Sequence, residues 1–332
     1  MIAKTFEKFS YTSVAISTLL LFGVSYYYTT LEINWSFVES KTLNGILIFG
    51  ALLLSNYAID TVTRQLTIER SNRNAYHLLL YPLVIMSYPI ESVDMKFILS
   101  SAAIWAAWRN VRIFFELNNN LKKSKRLFDA CILLSLSSLI ILDNLIIFLY
   151  PLLVLITTNI KRDLKHFIIL FMTPLIILPS AYVLLSFLSL DSYLFSSYFF
   201  ADQPQAIDEQ NVIPNSSRVF LMFLRGENFN LTYSYVPIFI VFVLFVISVI
   251  IKFQRTAGSQ RRILDAVGVF FLILTSLFFT MDQQLTGSEF HYLSLILVYF
   301  ISQIFVKKLK SSYVNFIFMS LIASIIIFKF LI

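Results

Sequence analysis

The stretch from residue 122 to residue 165 decides the fold of this chain. It reads KKSKRLFDACILLSLSSLIILDNLIIFLYPLLVLITTNIKRDLK, an apolar run with a basic cluster at each end. Basic loops stay on the cytoplasmic side of a membrane, and a single crossing would place the two clusters on opposite sides. The spacing therefore favours two membrane spans joined by a tight turn at Asp143-Asn144. One re-entrant unit over 127–158 is the alternative.

The same alternation of basic clusters and apolar runs continues along the whole chain. Hydrophobic residues make up 58% and charged residues only 14%, whereas a soluble domain carries about 25% charged residues. Because a helix needs about 20 apolar residues to cross a bilayer, the sequence predicts an all-α, polytopic membrane protein with about eleven transmembrane helices. The single membrane domain comprises residues 1–332. The predicted spans are roughly 11–29, 44–62, 75–90, 97–117, 127–142, 145–158, 166–188, 234–252, 263–281, 289–306 and 312–330.

The basic clusters also predict which side of the membrane each segment occupies. They place the N-terminus inside and the C-terminus outside a bacterial inner (cytoplasmic) membrane. The outer segments are then 30–43, 91–96, 143–144, 189–233 and 282–288, and most of the 19 acidic residues lie in or beside them. Segment 189–233 is the one long loop, and a start signal at Pro214 and a stop at Gly226 predict an interfacial helix near 216–225.

Acidic residues, a histidine and two loop arginines form the first candidate site, on the outer side. Burial can raise the pKa of a carboxylate until it serves as a general base, and arginine binds phosphate in bidentate fashion. Transfer from a polyprenyl-phosphate sugar donor requires that combination; solvated loop charges are the alternative interpretation. The predicted catalytic residues are Glu32, Asp143, Asp282 and His291, and Arg218 and Arg225 are predicted to bind the substrate phosphate.

Two arginines within the fourth predicted span form a second candidate site, near the inner leaflet. Arg109 and Arg112 follow Trp108, and a charge at that depth costs at least about 2.5 kcal/mol on insertion scales. Asp60, Glu116 or Asp129 could pair with them. Snorkelling toward cytoplasmic headgroups and a phosphate or partner-protein site are the two interpretations.

His291 is the centre of a third candidate group. Asn144, Gln283, Gln284 and Tyr292 are predicted to surround it, and its pKa would suit general acid–base catalysis if a carboxylate oriented the ring. A structural hydrogen-bonding role is the alternative interpretation.

Several functional classes lack support in the sequence. The chain has one cysteine, Cys131, and three dispersed histidines, a pattern without metal-ligand spacing. P-loop, GxSxG and HExxH motifs are absent, so we predict no cofactor and no metal. The net charge of +7 is explained by topology and anionic lipid rather than by nucleic acid. The lipid bilayer is the predicted partner.

The most distinctive sequence motif is residues 118–130, NNNLKKSKRLFDA, together with Asp143-Asn144, Tyr150-Pro151 and Thr173-Pro174. This motif resembles a family of Bacteroidota inner-membrane proteins of unknown function, and the resemblance extends to the seventh predicted span. The resemblance implies no activity and no site residues. The architecture is more loosely similar to glycosyltransferases and O-antigen-type polymerases that use polyprenyl-linked sugars. Unlike those enzymes, this chain has a short first outer loop that lacks a paired-carboxylate motif.

Three functions remain open from the sequence. The first is action on polyprenyl-linked glycans at the outer face of the inner membrane, as a transferase or polymerase with a lipid-linked sugar substrate. The second is a non-catalytic membrane subunit of a secretion or envelope-assembly complex, which would dock partner proteins through segment 189–233. The third is a transporter, although only seven Gly and eight Pro are few for broken helices.

Overall fold

The computed structural model describes residues 2–35, 40–65, 74–90, 92–117, 119–157, 164–187, 236–255, 268, 287–305 and 311–328. Of these residues, 89% are helical, which confirms the predicted all-α class. The predicted loop 189–233 with its helix near 216–225, and therefore Arg218 and Arg225, lies outside the described residues. The same holds for Asp282 and, apart from Gly268, for the predicted span 263–281.

Helices and two short strands succeed one another along the described chain. The α-helices are α1 (Ile2–Phe6), α2 (Tyr11–Thr30), α3 (Lys41–Gln65), α4 (Tyr76–Met86), α5 (Met95–Glu116), α6 (Asn120–Ile140), α7 (Leu149–Thr157), α8 (Leu164–Phe187), α9 (Val236–Arg255), α10 (His291–Ile304) and α11 (Ser311–Ile326). The strands are β1 (Glu32–Trp35) and β2 (Ser92–Asp94), and 3₁₀ segments cover Leu142–Phe148 and Ser288–Phe290.

Most predicted spans coincide with a helix, and the largest difference in a boundary concerns α6. This helix begins at Asn120 rather than near residue 127. The side chain of Asn119 accepts hydrogen bonds from the backbone N–H groups of Leu121 and Lys122, which satisfies donors that a helix start otherwise leaves open. The basic cluster that follows therefore lies on the first turns of a helix.

The chain folds back on itself between α6 and α7. Ile141 is extended and ends α6, and Asp143-Asn144 lie in the first turn of the following 3₁₀ segment. The reversal therefore precedes the predicted turn. The break at Ile141 separates α6 from α7, and α6 packs mainly against α5 and α8. Leu155 of α7 joins Leu127 and Cys131 of α6 in one buried cluster.

Three segments that are distant in sequence meet at one end of the helical bundle, which we call the strand end. Strands β1 and β2 pair in parallel, with Glu32 opposite Ser92 and Ile33 opposite Val93. The Ser288 hydroxyl accepts a hydrogen bond from the Asp94 N–H at 3.0 Å and donates to the Ser92 carbonyl at 3.2 Å. The three segments lie in or beside the predicted outer segments 30–43, 91–96 and 282–288.

The opposite end of the bundle, which we call the amino-terminal end, gathers another set of segments. The Ala75 N–H donates to the Phe6 carbonyl at 2.8 Å, and the Asn74 side chain donates to the Phe305 carbonyl at 2.8 Å. Each of these residues adjoins a segment that carries a predicted cytoplasmic basic cluster. The grouping of segments by end therefore agrees with the grouping predicted by charge.

Two of the helices described by the structure are long and apolar enough to cross a membrane, judged by length and composition. They are Lys41–Thr63 within α3 and Leu164–Leu184 within α8. Only 11% of the apolar window in α8 is buried against protein. Most of that helix therefore presents its apolar side chains to the surroundings of the bundle.

Candidate functional site

The first candidate site is built around the start of α10, at the strand end. Gly287 precedes it with φ +84°, in the left-handed region that favours glycine. A Cβ atom at this position would lie 2.3 Å from the Pro89 carbonyl oxygen, so the close approach also requires glycine. This turn directs Ser288, Glu289 and His291 into the bundle, where all three are buried.

His291 is enclosed by aromatic side chains from two other helical regions. Its Nε2 lies 3.2 Å from the Tyr28 hydroxyl at the end of α2, and the imidazole makes edge contacts with the rings of Tyr28 and Tyr88. The Trp105 indole N–H donates to the His291 carbonyl at 3.4 Å. These contacts fix the orientation of the ring, which is 1% exposed, so a substrate reaches it only if the strand end opens.

Tyr292 forms a second hydrogen-bonded group beside His291. The Asn144 amide donates to the Tyr292 hydroxyl at 3.0 Å and to the Ser137 hydroxyl at 2.8 Å, and the Ser100 hydroxyl completes the group through a short bond to Tyr292. Of the residues that the sequence grouped with His291, Asn144 thus bonds to Tyr292, the residue that follows His291 along the chain. Gln283 and Gln284 lie outside the described residues.

Carboxylates surround this network at different depths. Glu32 is exposed on β1, Asp143 is half-buried beside Asn144, and Glu289 is buried. Asp94 caps α5 by accepting from the Lys96 N–H at 3.0 Å, and burial raises the pKa of its carboxyl while the nearby Lys96 opposes that shift. Tyr28, four residues before Glu32, contacts His291, and Asn144, next to Asp143, contacts Tyr292. Among the contacts of the described residues, none joins the carboxylate of Glu32 or Asp143 to His291.

The second candidate site lies toward the amino-terminal end and pairs a carboxylate with a histidine. Asp60 of α3 lies 3.0 Å from the Nε2 of His77 at the start of α4, and both side chains are buried. One turn earlier on α3, Asn56 donates to the Ser17 hydroxyl at 3.2 Å. Ser17 in turn donates to the Leu78 carbonyl at 2.8 Å.

Each of the two arginines of α5 contacts a tyrosine on a different helix, Tyr57 on α3 and Tyr299 on α10. Arg109 donates to the Tyr57 hydroxyl at 3.1 Å and stacks over that ring at 4.6 Å from its centroid. Arg112 reaches the Tyr299 hydroxyl at 3.5 Å. Two of the suggested acid partners contact other side chains, since Asp60 lies against His77 and Asp129 forms an ion pair with Arg126 at 3.8 Å.

Sequence reasoning missed several residues of both sites. His77 offered a readable signal, because a lone histidine inside an apolar span is a candidate by default. Tyr28, Ser100 and Trp105 offered none, since each acts through a partner more than 180 residues away. The groups of His, Cys, Asp and Glu within the described segments include no set that could hold a metal ion.

Comparison of this chain with protein-family models, curated proteins and solved structures finds no match.

Proposed function

We propose that this chain is a multi-pass protein of the bacterial inner membrane that acts on polyprenyl-linked glycans at the outer face. Its N-terminus would lie inside, its C-terminus outside, and the strand end would face outward. The charge pattern supports this placement, and so does the meeting of segments of equal predicted sidedness at each end of the bundle. The apolar, largely unburied α8 supports contact with lipid.

The observation that carries the proposed chemistry is the His291 network. Its imidazole is buried at the predicted outer end and contacts Tyr28 of α2 and Tyr88 after α4, while Trp105 of α5 donates to the His291 backbone carbonyl. Such a preorganised imidazole suits general acid–base catalysis. Glu32 and Asp143 would be the candidate bases, since Tyr28 and Asn144 lie close to them in sequence, and Asp282 is the remaining predicted acid.

The phosphate of the donor would be held by Arg218 and Arg225. Their spacing of two helical turns places them on one face of the predicted interfacial helix, and the guanidinium fork matches a phosphate group. This helix would lie above the strand end, since its flanking spans connect there in the proposed topology.

Complementation tests the proposal. In a deletion strain of the source organism, the wild-type gene is expected to restore the profile of polyprenyl-linked glycans, measured by mass spectrometry of extracted lipids. His291→Gln and Asp143→Asn are expected to leave the precursor accumulated at normal protein levels. His166→Gln is the matched control, because His166 is also buried but packs against Phe114 in another part of the fold.

Two results would reject the enzymatic proposal. One is full restoration of the glycan profile by both site variants. The other is a glycan profile that does not change on deletion, together with recovery of a stoichiometric partner protein in mild detergent, which would indicate a subunit of an envelope complex instead.

A further inference from the structure

The guanidinium of Arg109 lies at the surface of the bundle between α3 and α5. It rests on the ring of Tyr57, which is 55% exposed. At a rise of 1.5 Å per residue, Arg109 is about 10 Å from the end of α5. A cation at this position is held against a surface-facing ring rather than being enclosed in the bundle interior.

The charge of Arg109 has no acidic counterpart within the part of the chain that the structure describes. No described carboxylate forms an ion pair with it, and its Nε is buried without a hydrogen-bond partner. Asp60, one helical turn from Tyr57, instead contacts His77. A guanidinium offers five N–H donors, and the Tyr57 hydroxyl accepts from only one Nη atom. The Nη donors that Tyr57 does not use and the charge of the guanidinium therefore remain for a ligand, whereas the Nε is buried.

Arg112 shows what a structural arginine looks like on the same helix. Its guanidinium carbon lies 5.8 Å from the centroid of Tyr299, a ring that is completely buried in the bundle. The two arginines are one turn apart, yet one is directed to a core ring and the other to a surface ring. Both arginines are partly buried, but the ring beside Arg109 is exposed and the ring beside Arg112 is buried. We therefore infer that Arg109 is the arginine that a lipid headgroup reaches.

We propose that Arg109, positioned by Tyr57, binds the phosphate of an anionic lipid in the leaflet at the amino-terminal end. Arginine binds phosphate through paired N–H donors, and anionic lipids concentrate in the cytoplasmic leaflet, where the proposed topology places this end. The tyrosine ring supports the planar guanidinium from one side and leaves its donors directed to the headgroup. This site rests on the membrane placement proposed above and not on any glycan chemistry.

Lipid titration of the full-length protein in neutral detergent tests the site. Binding is followed by native mass spectrometry and by the rise in melting temperature, with phosphatidylglycerol, phosphatidylcholine and inorganic phosphate as separate probes. We expect phosphatidylglycerol to bind and stabilise, and the other two to have little effect at equal concentration. Arg109→Gln is expected to weaken phosphatidylglycerol binding about tenfold, because the variant loses the charged hydrogen bonds to the lipid phosphate.

Two further variants make the test specific. Tyr57→Leu removes the supporting ring without changing the charge and is expected to weaken binding as well. Arg126→Gln makes the same change of charge on α6, where Arg126 already contacts Asp129 and Asn110, and is expected to bind lipid like the wild type.

Three outcomes would overturn the lipid site. They are equal binding of phosphatidylcholine, equal loss in Arg126→Gln and Arg109→Gln, and a response to inorganic phosphate as strong as the response to phosphatidylglycerol. Failure of the glycan complementation would leave this binding result unaffected, so the two proposals are tested separately.

Discussion

The polar side chains at the two ends of the bundle differ in their hydrogen-bond partners and in their exposure. At the strand end, His291, Tyr292 and Ser288 bond to groups that are 148 to 263 residues away along the chain, and the network is closed off from the surroundings. At the amino-terminal end, the buried Asp60–His77 pair joins two helices that are neighbours in sequence, while Arg109 lies against an exposed ring.

The difference indicates that the two ends respond differently to substitution and to the surrounding lipid. In a buried network whose members are all hydrogen-bonded, removing one partner is strongly destabilising. The low dielectric strengthens each hydrogen bond and raises the free-energy cost of a group left without one. The strand end should therefore tolerate little change. The amino-terminal end should tolerate surface substitutions, but its behaviour should depend on the lipid around it.

The most disruptive single substitution is expected at the strand end, at Gly287. Gly287→Ala would place a Cβ 2.3 Å from the Pro89 carbonyl oxygen at a residue with φ +84°. Left-handed strain and overpacking together are expected to cost about 3 kcal/mol or more of the free energy of unfolding. The measurement is the unfolding free energy in mixed micelles, together with the yield of monodisperse protein.

Gly23→Ala is the matched control for this variant. Gly23 lies inside α2, and a Cβ there would meet nothing within 4 Å, so alanine is expected to be neutral or stabilising by up to about 1 kcal/mol. Equal stability of the two variants would show that the tight turn before α10 does not hold the strand end together.

The next largest effect is expected from the Asp60–His77 pair. Asp60→Leu and His77→Leu each leave a buried polar partner behind, at a cost of about 1–3 kcal/mol. The double variant is expected to lose less than the sum, with a coupling of about 1–2 kcal/mol in a double-mutant cycle of unfolding free energies. Thr61→Val, on the same helix, is expected to stay within about 0.5 kcal/mol of wild type. Strict additivity would show that the two side chains act independently.

The sequence predicted the helices of this fold better than the contacts between them. Helix positions follow from apolar runs and basic clusters, which are local signals. The α6–α7 reversal came earlier than predicted because Ile141 is the extended residue that ends α6, and Asn144 then bonds back to Ser137. Asn and Asp favour turns on average, but here Asn144 is buried and bonds to Ser137 and Tyr292.

The β1–β2 pair shows a different limit of sequence reasoning. Each strand has only three or four residues, too few for an alternating pattern to be recognised, and two helices, α3 and α4, separate the partners along the chain. The candidate site divides in the same way. The sequence grouped Asn144 and Tyr292 with His291, and the structure joins Asn144 to Tyr292, whereas the contacts of Tyr28 and Ser100 depend on tertiary packing that no local pattern encodes.

A smaller effect is expected from removing one hydroxyl at the strand end. Tyr28→Phe keeps the ring that contacts His291 but deletes the group 3.2 Å from Nε2, which is expected to lower the unfolding free energy by about 1 kcal/mol. Tyr26→Phe, on the same helix and 67% exposed, is the control and should be close to neutral. If both variants are neutral, the imidazole does not depend on Tyr28 for its position.

The smallest effect is expected from the charge of Asp94, and it should appear as a dependence on pH. Burial raises the pKa of this carboxyl in the folded protein above its ordinary value of 3.8. The unfolded chain therefore loses its proton first as the pH rises. Between the unfolded and the folded pKa the folded state holds more protons, so stability falls as the pH rises through that interval.

Asp94→Asn separates this contribution from those of other carboxylates. Asparagine still caps the start of α5 as well as aspartate does, but it neither ionises nor pairs with Lys96, which lies 3.3 Å from Asp94. The difference in melting temperature between variant and wild type is expected to shift in favour of the variant as the pH rises from below 3.8. A difference that moves the other way would mean that Lys96 outweighs burial, and the strand end would then hold a stabilising ion pair, unlike the neutral hydrogen-bonded network around Tyr292.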